Sequence, residues 1–124
     1  MGFNFEQLDV YEKSVDFINQ VYLITRNYPK EEMFGLTSQF RRAAVSISLN
    51  IAEGSARSKR DFNRFVDMAR GSVFECITIL RISEKLNFVS RMKSNELRNK
   101  LVEISKMLSG LKRSLAQIAP NNEQ

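Results

Sequence analysis

Residues 36–57 read as one helix with almost no ordinary solvated face. At about 3.6 residues per turn, Leu36, Phe40, Ala43, Ala44, Ile47 and Ile51 fall on one side. Val45, Leu49 and Ala52 fall on another. Between them a polar stripe recurs at helical spacing: Gln39, Arg42, Ser46, Asn50 and Glu53. A helix that is apolar on two sides is usually buried on two sides. The chain must therefore cover both, one with its own remaining helices and the other, on this reading, with a neighbouring subunit.

Three further helical periodicities supply the first cover. Over 8–26, the residues Val10, Tyr11, Val15, Phe17, Ile18, Val21, Tyr22 and Ile24 spread over half the helix circumference. That is wider than a four-helix core needs, and the excess points to a subunit contact. Pro29 ends this helix and Gly35 loosens the connection that follows. Thr37 or Ser38 is expected to cap the second helix, and Gly54 to close it in a left-handed conformation. Ser58 to Asp61 has the form of a capping box. It opens a third helix, over 59–86, whose apolar face is Phe62, Phe65, Val66, Ala69, Val73, Cys76, Ile77 and Leu80. Gly71 inside that helix costs about 1 kcal/mol relative to alanine, and is read as the close approach of another backbone. Ser90 or Ser94 caps the fourth helix, over 91–118, with the row Leu97, Leu101, Ile104, Leu108, Leu111 and Leu115, flanked by Met107 and Ile118. Residues 119–124 read as a frayed tail. The expectation is an all-α single domain over 1–124, an antiparallel up-down-up-down four-helix bundle with helices about 8–26, 36–55, 59–86 and 91–118.

The composition excludes several chemistries. There is one cysteine, Cys76, and no histidine. Ser-His-Asp and Cys-His catalysis and a structural zinc site all need residues this chain lacks. Cys76 falls on an apolar face and reads as a small core hydrophobe. No glycine-rich phosphate loop is present. Glu53 and Glu75 are the acids expected to lie deepest, with Arg57 and Arg42 respectively as their partners. A neighbouring arginine lowers a carboxyl's pKa and works against an acid role. The expectation is no catalytic residue, no enzyme activity, no cofactor and no metal. No apolar run is long enough for a membrane span, and the first residues lack the pattern of a signal peptide. The reading is therefore a cytoplasmic protein with no membrane partner.

The charge is uneven. The net charge is +5, yet residues 1–32 hold six acids against three bases. The excess base lies beyond them, which favours an anionic partner such as nucleic acid. Arg57, Lys59, Arg60 and Arg64 cluster at the start of the third helix, where free N–H groups also favour phosphate. Lys106, Lys112 and Arg113 lie on the fourth, the latter two near the same end, and together these side chains can track a phosphate backbone. The alternative is a solvated, solubilising surface. The polar stripe, with Glu75, is read as a structural network that holds register or joins subunits. Phe74 and Ile82, off the main apolar arc, are assigned to a subunit contact.

Gln39-Phe-Arg-Arg-Ala-Ala-Val-Ser46, Asn50-Ile-Ala-Glu-Gly-Ser-Ala-Arg57 and Phe62, Phe65, Ala69-Arg-Gly-Ser72 and Glu75 carry a family resemblance. The chain resembles, from Phe5 to Leu115, the bacterial four-helix bundle proteins associated with intervening sequences in large-subunit ribosomal RNA genes. It is also similar to the accessory variability protein of diversity-generating retroelements. The resemblance implies a ring, typically a homopentamer. For the retroelement branch it implies a basic surface that binds nucleic acid and a reverse transcriptase partner. The reading that follows is a non-enzymatic homo-oligomer that binds RNA or an RNA–protein complex, or DNA. The alternative is a protein-interaction scaffold, such as a reverse transcriptase accessory subunit, that touches no nucleic acid.

Overall fold

The computed structural model describes residues 4–122, with side chains as far as residue 116. The side chain of Ile118, the last two residues of the expected tail and residues 1–3 lie outside what is described. Four helices follow in order: α1 (Asp9–Thr25), α2 (Leu36–Ser55), α3 (Lys59–Lys85) and α4 (Arg91–Asn122). Short 3-10 turns span Asn4–Gln7 and Lys30–Glu32. α1 packs on α2 and α4, and α3 packs on α2 and α4, while among the described residues the diagonal pairs have no close backbone approach. With such short connections, neighbours run antiparallel and the four close into an all-α bundle. The backbone of α4 runs past the expected end at 118, through Pro120 to Asn122.

The periodicities decide what is inside. Phe17, Phe40, Ile47, Ile51, Leu80, Leu97, Leu101, Ile104 and Leu108 are fully buried. Each contributes roughly 1.5–3 kcal/mol by leaving water. Phe17 and Phe40 meet edge to face at 6.4 Å across α1 and α2. Cys76 is buried among them, and burial, reinforced by the nearby Glu75 carboxylate, pushes its thiol up to about 12. It is a protonated core side chain, not a nucleophile.

The helix ends differ from expectation in three places. Neither Thr37 nor Ser38 caps α2; Glu32 reaches forward and accepts from the Leu36 N–H at 3.1 Å, while Thr37 is buried. Gly54 is not left-handed, because α2 continues one residue further. The left-handed residue is Asn87, at φ 62°. There the Phe88 N–H bonds the Ser83 carbonyl at 2.9 Å and the Asn87 N–H bonds the Glu84 carbonyl at 3.0 Å. That pair of bonds is the Schellman arrangement that ends a helix. Ser58 and Ser90 do cap α3 and α4, accepting from the Asp61 and Lys93 N–H groups.

The close approach expected at Gly71 occurs instead at Gly54. A Cβ at Gly71 would meet nothing within 4 Å, so no backbone of the same chain approaches it. At Gly54 a Cβ would sit 2.6 Å from Phe65 Cβ. Gly54 is where α2 and α3 touch.

The bundle leaves one side of α2 only partly covered. Leu49 is 60% exposed, and Met68, Phe74 and Ile82 of α3 are also exposed. Phe34, in the connection before α2, is 98% exposed. Of the second apolar side read from the sequence, Leu49 is exposed while Val45 and Ala52 are half-buried.

Candidate nucleic-acid interface

The turn between α2 and α3 brings Arg57, Lys59, Arg60 and Arg64 to one end of the bundle, and all are exposed. Acids offset part of this cluster. Arg57 lies 3.5 Å from Glu53 and stacks over Phe65 at 5.2 Å. Arg64 lies 3.6 Å from Asp61. Lys112 crosses from α4 to α3, donating to Asp67 at 2.7 Å and Asn63 at 3.4 Å. Asp67 also accepts from Arg70 at 3.1 Å. The Lys112 hydrogen bond, with Arg70 assisting against slight desolvation, holds the Asp67 carboxyl below its usual value. Lys112 is thus a link between helices as much as a phosphate contact. Lys106 and Arg113 are exposed and form no ion pair among the described residues.

The expected polar network shrinks. Asn50 donates to the Ser46 carbonyl at 2.8 Å and to the Ser46 hydroxyl at 3.1 Å. Ser72 of α3 closes it, donating to Ser46 Oγ at 2.9 Å. Gln39, Arg42, Glu53 and Glu75 are instead exposed. Glu53 does pair with Arg57, as expected. Arg42 and Glu75 line one recess of about 410 Å³ beside Phe34, without an ion pair between them. Neither Glu53 nor Glu75 is deeply placed. Helical spacing put the stripe on one line, but only Ser46, in its middle, meets a hydrogen-bond partner on α3. Ser72 was missed because its partner lies on another helix, a relation that periodicity does not carry.

α4 holds the strongest asymmetry. Its acids among residues 91–116 are Glu96 and Glu103. Glu103 pairs with Lys13 of α1 at 3.5 Å. Glu96 pairs at 2.8 Å with Lys93, whose ammonium also donates to Gln20 of α1. Both acids thus sit on the α1 side. Arg91, Arg98, Lys106 and Arg113, at spacings of seven, eight and seven residues, fall within about a quarter turn of one another at 100° per residue. They make a stripe about 33 Å long at 1.5 Å per residue. Arg81 of α3 joins its end near the 87–90 connection. Arg81, Arg91 and Arg98 were not singled out in the sequence, although the seven-residue spacing on α4 was there to be read.

Among the described residues no cluster of three metal-ligating side chains occurs, and no helix is long and apolar enough to cross a membrane.

A family model described as 23S rRNA-intervening sequence protein matches residues 6–110. A crystal structure from Bacteroides thetaiotaomicron, described as a protein with unknown function from the S23 ribosomal protein family, has a similar fold. Its TM-score is 0.75 at 24% identity, over 83% of this chain and 97% of that one. No curated protein sequence matches the chain.

Proposed function

We propose, from the premise that this chain belongs to the 23S rRNA-intervening sequence protein family, that it is a non-enzymatic, oligomeric bundle protein that binds RNA through its basic surface. The observation that carries this is the sorting of charge on α4. Its acids are tied to the α1 side, and the face next to them keeps a base stripe of which Arg98, Lys106 and Arg113 have no acid partner among the described residues. Such a stripe neutralises successive phosphates. Arg57, Lys59, Arg60 and Arg64 extend it around one end of the bundle, partly offset by Glu53 and Asp61. Aromatic rings for base stacking are not offered there, because Phe65 is buried and Phe62 packs on the core. Contacts to phosphate without base contacts give weak sequence preference. The exposed apolar residues Leu49 of α2 and Met68 and Phe74 of α3 support self-association into a ring, and each added copy multiplies the basic stripe.

A salt titration against a generic single-stranded RNA tests this reading. Affinity falls linearly with log salt, by about 0.7 per phosphate contact. Lys106→Ala with Arg113→Ala lowers that slope by roughly 1.4. No RNA binding at low salt refutes the reading and leaves the scaffold that recruits a protein partner. The exposed Phe34 and Phe74 favour that second reading, and light scattering reports the oligomeric state for either.

A further inference from the structure

The last turns of α3 and the first turns of α4 enclose a recess of about 530 Å³ between Arg81, Arg91 and Arg98, with Thr78, Asn95 and Ile82 also on its walls. Its volume lies within the roughly 300–1,000 Å³ of small-ligand sites. It stands at the opposite end of the bundle from the 57–60 cluster.

Charge and shape narrow the ligand. One half-buried carboxylate, Glu84, faces two of the guanidinium groups, at 3.7 Å from Arg81 and 3.9 Å from Arg91. Both distances are too long for a closed hydrogen bond. Arg98 has no acid partner among the described residues. The recess therefore keeps positive charge in excess, in the side chain best shaped to fork onto a phosphate. The rest of its lining is not charged. Ile82 is 41% exposed, and Ile77 beside it is half-buried. These give an apolar wall next to the Asn95 amide, which can both donate and accept. An anion site with a flat apolar wall and an amide at its edge suits a phosphate that carries a base. An acidic peptide would use the arginines and leave the wall uncovered.

The recess is also continuous with the stripe, because Arg91 and Arg98 are the stripe's first two members. A strand lying along α4 would lead into it.

We propose that this recess seats one unpaired nucleotide of a bound RNA strand, its phosphate on Arg91 and Arg98 and its base against Ile77 and Ile82. This rests on the RNA-binding reading and gives it a specific site. Arg81 offsets the charge of Glu84, and Asn95 meets the base edge.

The full chain is tested with uridine monophosphate, inorganic phosphate and a short oligouridylate, following the amide NMR resonances of Thr78 and Asn95. The monophosphate shifts both resonances, and inorganic phosphate shifts them less. Arg91→Gln with Arg98→Gln removes the shifts and weakens oligouridylate binding about tenfold or more. These side chains are exposed, so an unchanged circular dichroism spectrum and Tm is expected and verifies the fold. Lys106→Gln with Arg113→Gln lowers the salt slope but keeps the shifts. Oligouridylate that binds without moving Thr78 or Asn95 overturns the site and leaves the RNA reading standing. Shifts with the monophosphate, but no oligouridylate binding at low salt, overturn the RNA reading and with it the seating of a strand. Equal shifts from inorganic phosphate or an acidic peptide overturn the nucleotide assignment.

Discussion

Gly54→Ala is the substitution for which the structure predicts most. The added Cβ would lie 2.6 Å from Phe65 Cβ, 3.0 Å from Phe62 Cδ1 and 3.3 Å from Phe65 Cγ. Carbon atoms settle at about 3.5–4.0 Å. The phenyl rings can rotate, but Phe65 Cβ is fixed to the α3 backbone. The junction of α2 and α3 must therefore open by about 1 Å, a distance set by those same contact radii. Overpacking of this kind costs about 1–3 kcal/mol, against a gain of up to about 1 kcal/mol in helix propensity. A 2.6 Å contact with an atom fixed to the backbone falls in the upper part of the overpacking range, about 2–3 kcal/mol, so the net loss is about 1–2 kcal/mol. At about 2.1 cal/mol/K per residue, a chain of 124 residues melts roughly 4 °C lower per kcal/mol, so G54A melts roughly 4–8 °C lower. Gly71→Ala is the counterpart. Its Cβ meets nothing within 4 Å, the propensity gain is unopposed, and Tm rises by up to about 4 °C. Thermal melts at one protein concentration compare the two, since self-association shifts Tm. A G54A variant that melts at or above the parent temperature refutes the argument from close approach.

Three further outcomes are expected. Thiol reagents label Cys76 only as the chain unfolds, because the thiol is buried and protonated at neutral pH; rapid labelling of the native protein contradicts this. Tyr28 Oη and Ser83 Oγ are buried without a closed hydrogen bond, and burial raises the Tyr28 pKa although the neighbouring Ser83 hydroxyl pulls it down. Removing an unsatisfied hydroxyl is nearly neutral, so Tyr28→Phe changes unfolding stability by less than about 1 kcal/mol, and a larger loss in urea titration reveals a bond the geometry does not show. The folded pKa of Asp67 lies below its ordinary 3.8, so its contribution is fully present above that value and drains away as pH falls through the folded one. Asp67→Asn therefore lowers the urea midpoint at neutral pH, with the gap to the parent closing in acid; a gap constant through the acid range shows that the Lys112 link contributes nothing.

The sites legible in the sequence were those whose determinants lie along one helix. Ser58, and Ser90 as one of two candidates, could be assigned as caps because the cap hydroxyl and the N–H that donates to it are three residues apart. Leu97, Leu101, Ile104 and Leu108 could be placed inside because one face of one helix repeats every three to four residues. Gly54 and Gly71 could not be told apart, because a glycine's reason lies on whichever helix crosses it. The basic turn at 57–60 was visible as a run, and its offset by Glu53 and Asp61 was legible because those pairs are three or four residues apart along the chain, but the Asp67–Lys112 link depends on reach between two helices.

From its sequence alone the chain determined four helices, the faces they bury, most of their ends and a positive charge set beyond residue 32. Periodicity and capping are local, and they survive any packing that keeps the helices. Tertiary structure decided which helix sides meet. It left Gln39, Arg42, Glu53 and Glu75 outside, joined Ser46 to Ser72, and brought Arg81 of α3 to Arg91 and Arg98 of α4. That last convergence needs the register of two antiparallel helices, set by how Leu80, Leu97, Leu101 and their neighbours interlock in the core.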